Sequence, residues 1–247
     1  MTFRRPRMRF TTSLLLVPLM LLLAGGQGIP TPDLEPDAPR GVTPVPTIAF
    51  NFALTGADPE HYEIAVEERG RAAYRSVGHA TADAPGSAPG TPYMVKFTMS
   101  PVTTRQIFEL ASRAKYFAKP LDYTKGHLAN MGAKTLTYSD QKIFYQKNYN
   151  YSVMPPVQEL TEIFQDIANT LEGGRRLAFA YKYEKLGVDE ELKRLEEEAR
   201  NHQLSEVQAI APMLQKIAAD ESVLNIARQR ARRLLKISSQ ESVVGSQ

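Results

Sequence analysis

The sequence contains no cysteine among its 247 residues. Disulfide bonds, thiolate metal sites and a cysteine nucleophile are therefore excluded. A lipid anchor at a signal cleavage site is excluded for the same reason, because it needs a cysteine there, so the chain is not a lipoprotein. Packing alone must supply the stability of the fold.

An apolar run long enough to remain in a membrane is also lacking. The segment from Leu14 to Ala24 is shorter than the about 20 residues that a membrane-spanning helix needs. It follows a basic start and leads into small residues, the order of a cleavable signal peptide. The basic residues are Arg4, Arg5, Arg7 and Arg9, and the small ones are Ala24, Gly25 and Gly26. We predict a signal peptide over residues 1–26, cleaved after Gly26 or alternatively Gly28, and a secreted or periplasmic protein without a stable transmembrane anchor.

A strong net charge is missing as well. The chain has 30 lysines and arginines against 27 acidic residues, and four of the basic residues belong to the predicted signal. Cleavage would leave 26 basic and 27 acidic groups, a net charge near −1. Since non-specific binding to nucleic acid needs a broad positive field, we expect no nucleic-acid partner.

Three segments have too few large apolar residues to join a core. Residues 27–46 carry six prolines, a composition typical of an extended, disordered linker. Residues 80–92 are almost entirely small or polar, and we predict a flexible loop there. Residues 238–247 are predicted to be a disordered tail.

Alternating apolar residues predict several strands. The alternation begins at Ile48, and a tight return at Arg69-Gly70 predicts a hairpin. The alternating residues are Ile48, Phe50, Phe52 and Leu54, then Tyr62, Ile64 and Val66, then Tyr93, Val95, Phe97 and Met99, then Leu136 and Tyr138. A longer aromatic strand is predicted from Ile143 to Tyr151.

Two helices are predicted in the same region. Ser100-Pro101 is a strong helix start, because the serine hydroxyl accepts an unpaired N–H and proline has none to lose. That helix should end near Phe117. Pro155-Pro156 opens the second helix, whose apolar residues recur every three or four positions. We expect it to end at Gly173-Gly174.

The order of strands, helix, hairpin and helix predicts an α+β domain over residues 47–172, a small antiparallel sheet packed with two helices. An all-α segment is predicted to follow over residues 173–237. Within it, residues 175–186 fit a helix and a strand equally. The predicted caps of the later helices are Asp189, Ser205 and Asp220, and Pro212 is predicted to bend the middle one.

Several local patterns between Ile48 and Leu171 carry a resemblance. They are Tyr62-Glu-Ile-Ala-Val66, the return Gly70-x-x-x-Tyr74, the strand entering Ser100-Pro101, the helix end Tyr116-Phe117, a polar hairpin and a helix led by Pro156. In these residues the chain resembles a bacterial envelope domain family of unknown function. Many members have cysteines where this chain has Gly56 to Glu60. The resemblance implies an α+β fold and supplies no activity or catalytic residue.

The last two helices carry a second resemblance. Residues Ile217 to Leu235 are similar to a helical pair of the HEAT type. Because a solenoid needs about three or more such units, the single pair predicts a helical appendage.

Motifs for metal, cofactor or nucleophilic chemistry are absent from the sequence. The histidines His61, His79, His127 and His202 have no metal-ligand spacing, although His61 and His79 could approach across a hairpin. No serine lies in a Gly-x-Ser-x-Gly turn, and no glycine-rich loop fits a phosphate. We predict no catalytic residue, no metal and no cofactor. Two carboxylates placed by the fold are the alternative, with Glu63, Glu67 and Glu68 as candidates.

The main surface candidate is the aromatic strand from Lys142 to Tyr151, with Tyr138 opposite it. Tyrosines separated by Asn, Gln and Lys can stack on a sugar or a partner and donate hydrogen bonds. The predicted binding residues are Tyr138, Tyr145, Tyr149 and Tyr151. The alternative is that tyrosine simply suits a strand, and that half of these side chains belong to the core. As an edge, this strand could also pair with a strand from another chain.

A basic patch on the last helix allows two interpretations. Its members are Arg228, Arg230, Arg232, Arg233 and Lys236. A solvated helix face and a surface for an acidic envelope polymer both fit this pattern.

Two hypotheses for function follow. The first is a non-enzymatic envelope binding or interaction module, whose partner is an envelope protein or a cell-wall polymer. The alternative is a cell-wall glycan hydrolase that uses two carboxylates.

Overall fold

The computed structural model describes residues 45–78, 92–125 and 128–244 of the chain. The predicted signal peptide, nearly all of the predicted linker and nearly all of the predicted flexible loop lie outside these ranges. Within them, no helix is long and apolar enough to cross a membrane.

Six antiparallel strands form one sheet in the order β4-β3-β2-β1-β5-β6. The strands are β1 (Thr47–Ala53), β2 (His61–Glu67), β3 (Arg71–Val77), β4 (Tyr93–Thr98), β5 (Ala133–Ser139) and β6 (Phe144–Tyr149). The first four strands follow one another as a meander, and β5 then pairs with the other side of β1. As a result β1 lies inside the sheet, where Phe50 is flanked by Ile64 and Leu136.

The hairpin predicted around Arg69-Gly70 joins β2 and β3. Gly70 has a φ of +82°, a backbone conformation that favours glycine. A Cβ atom on this residue would also lie 3.2 Å from the backbone oxygen of Met99. The tight return therefore depends on this glycine, as the sequence indicates.

Helix α1 (Pro101–Arg113) follows β4, and the long helix α2 (Pro155–Tyr183) follows β6. Ser100 caps α1 as predicted, because its hydroxyl accepts the Thr103 N–H at 3.2 Å. A short 3-10 turn at Lys115–Phe117 then buries the Phe117 ring. Both helices begin where the sequence places them.

The sheet buries one face and leaves the other small and polar. Ile48 and Phe50 of β1 point to the buried face, where Phe50 stacks on Phe164 of α2 with ring centroids 5.1 Å apart. The opposite face carries Ala49 and Ala65 side by side on adjacent strands. This alternation is the period of a half-buried strand.

The predicted end of α2 at Gly173-Gly174 is wrong. The helix continues through both residues to Tyr183, and the predicted boundary at residue 172 falls inside it. A Cβ atom on Gly173 would lie 2.4 Å from Leu195 Cδ2, and one on Gly174 would lie 2.4 Å from Ile210 Cγ2. The two glycines allow later helices to pack closely on α2, so their role here is tight packing and not capping.

Five helical pieces follow α2 in the described part of the C-terminal region. They are a 3-10 turn at Lys185–Gly187, α3 (Val188–Arg200), a 3-10 turn at Val207–Ile210, α4 (Ala211–Ala219) and α5 (Asn225–Val244). The segment that fitted a helix and a strand equally is therefore helical up to Tyr183. The backbone of α5 stays helical to Val244, so the predicted disordered tail is wrong for the described part of that segment.

The predicted caps in this region need correction. Asp189 lies in the first turn of α3, after the cap residue Gly187. The Ser205 N–H donates to Thr170 Oγ1 instead of starting a helix. Pro212 lies in the first turn of α4, where its missing N–H costs nothing, and it does not bend a helix. Asp220 ends α4, well before α5 begins.

Two apolar cores share α2. The first half of α2 packs with α1 on the sheet, around Phe50 and Phe164. The second half packs with α3, α4 and α5, around Leu177 and Leu214. The predicted α+β class with an all-α C-terminal region is confirmed, and the sheet is larger than the small one expected.

Candidate functional site

The four predicted binding tyrosines do not form one exposed surface. Tyr138 lies directly opposite Tyr145 in the β5–β6 pair, so both point to the face that the helices cover. Tyr138 and Tyr149 are 6% and 5% exposed, whereas Tyr145 is 36% exposed. Tyr151 follows the end of β6 and is half-buried. For Tyr138 and Tyr149 the structure agrees with the alternative that these rings belong to the core.

The hydroxyl groups of the two buried tyrosines already have partners. Tyr138 donates to Asp140 Oδ2 at 2.9 Å, and burial with this hydrogen bond raises the pKa of Tyr138 to about 12. Tyr149 and Thr161 hydrogen bond at 2.7 Å. Because Thr161 donates its own proton to Val157 O, Tyr149 is the donor in that pair. The second of these contacts joins β6 to α2.

A concave site lined by many ionisable groups lies elsewhere, between α2, the end of α3 and the turn after β1. We call it the acidic cleft, and its volume is about 590 Å³. Its acidic lining residues are Asp58, Glu162, Asp166, Glu172 and Glu198, and its basic ones are Arg176, Arg194 and His202. The volume lies within the range of about 300–1,000 Å³ that small-molecule sites occupy.

One stripe of α2 supplies five of the polar side chains that line the acidic cleft. The stripe consists of Glu162, Asp166, Asn169, Glu172 and Arg176, which are three or four residues apart and so lie on one face of the helix. The apolar stripe through Phe164 and Ile167 faces the sheet instead. A single helix therefore anchors the fold and presents the cleft.

Asp166 is a carboxyl of the stripe with a raised pKa. It is half-buried, and burial together with the negative charge of Glu162 raises the pKa of Asp166 to about 6. No lysine or arginine within the described ranges forms an ion pair with its carboxylate. The Asp166 carboxylate is therefore ionised at pH 7 and lacks a compensating cation.

Glu172 differs from Asp166 because its carboxylate is buried and hydrogen bonded. It accepts from Tyr74 Oη at 2.7 Å, from Ser76 Oγ at 2.6 Å and from Arg175 Nε at 2.6 Å. Burial alone would raise the pKa of Glu172, but these hydrogen bonds and the Arg175 charge together lower it. Glu172 joins β3 to α2 through these hydrogen bonds, and it thereby supports the wall of the cleft.

Two aromatic rings form the floor of the acidic cleft beside Asp166. Phe52 and Tyr62 stack with ring centroids 5.1 Å apart. Burial raises the pKa of the Tyr62 hydroxyl, and the negative charge of Asp166 adds to this increase, so the hydroxyl stays protonated. Lys134 lies behind the floor, with Nζ 5.6 Å from the Phe52 centroid.

Lys134 is a structural cation. It is 5% exposed, and its Nζ donates to the backbone oxygens of Met131, Gly132 and Asn150 at 2.9, 3.2 and 2.9 Å. Burial lowers the pKa of Lys134. Because an ammonium group has three protons and all three have acceptors, Lys134 is not a free nucleophile.

The two arginines of the acidic cleft already have acidic partners on α3. Arg176 Nε lies 3.0 Å from Glu191 Oε2, and Arg194 Nε lies 3.7 Å from Glu198 Oε1. Burial raises the pKa of Glu198, against the opposing charges of Arg176 and Arg194. The uncompensated negative charge therefore lies at the Glu162–Asp166 end of the cleft.

A second cavity adjoins that end. We call it the side pocket; its volume is about 280 Å³, and its lining includes Tyr149, Tyr151, Gln158 and Thr161. Glu162 and Gln165 line both the side pocket and the acidic cleft. Two of the four tyrosines predicted from the sequence thus reach a pocket, although from the core side of the sheet.

Glu63, Glu67 and Glu68, the carboxylates predicted from the sequence, do not line the acidic cleft. Glu63 and Glu67 point to the open face of the sheet, where Glu67 Oε2 pairs with Arg71 at 2.7 Å. His79 and His127 lie outside the described residues. Among the residues that are described, no group of three or more His, Asp or Glu side chains has the arrangement of a metal site.

Three members of the basic patch on α5 have structural partners. Arg230 and Arg233 both donate to Glu196 of α3, and Arg232 donates to the Ala218 carbonyl oxygen. Burial would raise the pKa of Glu196, but the two arginines lower it. Much of the patch therefore fixes α5 to α3 and α4.

No family model matches the chain, and no curated protein matches it. The envelope-domain and HEAT-type resemblances therefore stay predictions.

Proposed function

We propose that this chain is an exported binding module whose acidic cleft takes a ligand that carries a cationic amine. The observation that carries this proposal is the half-buried Asp166 carboxylate in the acidic cleft, with which no lysine or arginine in the described part of the chain forms an ion pair. Export is proposed from the basic, apolar and small-residue order of residues 1–26. The partner class proposed from the sequence, an envelope protein or cell-wall polymer, is kept.

An ammonium group matches the chemistry of this end of the acidic cleft. Its three donors can bond to carboxylate oxygens of Asp166 and Glu162, and such charge-assisted hydrogen bonds are about twice as strong as neutral ones. Anions are repelled by the same carboxylates.

A binding experiment with a simple amine tests the proposal. We expect calorimetry at pH 7.5 to show binding of putrescine and none of 1,4-butanediol, which has the same carbon chain without charge. Asp166→Asn should weaken putrescine binding about tenfold to hundredfold, because a hydrogen bond to a charged group contributes about 1.5–3 kcal/mol. The matched control is Glu109→Gln on an exposed position of α1, which removes one negative charge away from the cleft.

The control separates local from general electrostatics. If Glu109→Gln weakens binding as much as Asp166→Asn, putrescine is attracted by net charge and the site assignment is wrong. Equal binding of putrescine and butanediol would also contradict the proposal.

Glycan hydrolysis is a second candidate, favoured by one observation. A carboxyl with a pKa of about 6 suits general acid chemistry near neutral pH, and Glu162 on the same stripe supplies a second carboxylate. Release of reducing ends from cell-wall glycan, lost in Asp166→Asn, would support this candidate. No release by the parent protein, together with putrescine binding, would leave the binding module as the function.

A further inference from the structure

The acidic cleft and the side pocket are neighbours along α2. Glu162 and Gln165 lie one turn apart on that helix, and both line both cavities. A ligand whose amine reaches Asp166 would therefore extend past these two side chains to enter the side pocket. The combined site is larger than a simple diamine needs.

The side pocket differs chemically from the acidic cleft. Its polar groups are mostly neutral hydroxyls and amides: Gln158 Nε2 donates to Tyr151 Oη at 3.0 Å, and Tyr149 bonds to Thr161. The Lys134 charge at its base is satisfied by backbone oxygens. The Tyr151 ring is held edge-on by Tyr123 at a centroid distance of 6.4 Å, so its orientation is fixed.

Aromatic rings with adjacent hydroxyl and amide groups suit a sugar ring. The ring faces pack on the apolar C–H surface of a sugar, while amides and hydroxyls bond to its hydroxyl groups. The adjoining carboxylates of Glu162 and Asp166 suit an amine. The rings of the side pocket and these two carboxylates both lie beside the first half of α2.

We infer that the ligand is an amino-sugar oligomer, with the amine of one sugar at Asp166 and Glu162 and the neighbouring ring in the side pocket. This inference rests on the proposed function and narrows it to a ligand class. A polyamine would leave the hydroxyl and amide groups of the side pocket unused, and an N-acetylated sugar would place a neutral amide against the carboxylates.

The test compares three probes by calorimetry at pH 7.0: a glucosamine trimer, the N-acetylglucosamine trimer and putrescine. We expect the glucosamine trimer to bind about tenfold more tightly than putrescine, because it gains contacts in the side pocket. The N-acetylated trimer should bind at least about tenfold more weakly than the glucosamine trimer, because it lacks the charge.

Two variants assign the extra affinity to the side pocket. Tyr151→Leu should reduce the affinity for the glucosamine trimer to that for putrescine, and the affinity for putrescine itself should stay the same. Gln158→Ala, at a half-buried position on the helix surface, should reduce the affinity for the glucosamine trimer by a smaller factor. This second variant tests the side pocket even if Tyr151→Leu does not fold. Asp166→Asn should weaken both amine ligands.

The outcomes separate this inference from the proposed function. If putrescine binds through Asp166 but the glucosamine trimer binds no more tightly, the sugar assignment is overturned and the amine site stands. Equal binding of the two trimers overturns the role of the amine. If no probe binds, both the inference and the proposed function are overturned.

Discussion

Glu172→Gln is expected to lower the free energy of unfolding by about 3–5 kcal/mol, the cost of breaking a buried ion pair. The change removes the negative charge that faces Arg175, which is 6% exposed, while the size of the side chain stays the same. The next acid that the structure places near Arg175 is Asp58, at 3.7 Å from Nη2. Urea unfolding at pH 7 measures the loss.

A matched exposed pair provides the control for this substitution. Glu67→Gln breaks the exposed Arg71–Glu67 pair with the same chemical change, and we expect a loss of about 1 kcal/mol or less. Similar losses in the two variants would show that the buried network contributes no more than a surface pair.

The pH dependence of stability follows from the lowered pKa of Glu172. A depressed carboxyl pKa gives stability that is fully present above the ordinary glutamate pKa of about 4.3 and is lost as the pH falls through the lower folded-state value. Below pH 4 the difference in the free energy of unfolding between the parent protein and Glu172→Gln should therefore become smaller. An unchanged difference between pH 7 and pH 3 would contradict this assignment.

Gly174→Val is expected to destabilise the protein by roughly 3 kcal/mol. A Cβ atom at this position would lie 2.4 Å from Ile210 Cγ2, and valine adds two further methyl groups to a packed contact. Overpacking of this kind costs about 1–3 kcal/mol or more, and it exceeds the helix propensity that the change gains. Thermal and urea unfolding both report the loss.

An exposed position of the same helix provides the control. Glu159→Val places the same side chain on the solvent side of α2, and we expect a loss of about 1 kcal/mol or less. If Gly174→Val is as stable as that variant, α2 and the Val207–Ile210 turn are not in close contact.

The sheet and the start of α1 were predictable because their signals are local. The alternation from Ile48 to Val66 marks which side chains face the core, and Ser100-Pro101 satisfies the helix terminus within a few residues. Such patterns depend only on neighbours in the sequence. The α+β class follows from the order of these elements.

The end of α2 was mispredicted because a glycine pair can either end a helix or allow a neighbouring helix to pack closely. Gly173-Gly174 resembles a helix end, but its role is set by Leu195 and Ile210, which are distant in the sequence. Close helix contacts of this kind leave no local signal. The caps predicted at Ser205 and Asp220 are wrong for the same reason, since tertiary hydrogen bonds engage both residues.

The acidic cleft was not predicted because its lining residues have the sequence pattern of ordinary surface and core residues. Glu162, Asp166 and Asn169 form a polar stripe of the kind that usually faces solvent. Only the packing of α3 and the turn after β1 against this stripe turns it into a cleft. Two of the tyrosines predicted from the sequence, Tyr149 and Tyr151, do line the side pocket. The sequence did not indicate that this pocket lies on the side of the sheet that the helices cover.

The most direct test of the proposed amine site is an NMR titration of the Asp166 carboxyl carbon in the ¹³C-labelled protein, with Asp166→Asn as the assignment control. We predict a pKa of about 6 without ligand, because burial and Glu162 disfavour the charged form. Saturating putrescine should lower that pKa, because a nearby ammonium favours the ionised carboxylate. An ordinary aspartate pKa of about 3.9 that does not move with putrescine would contradict the account.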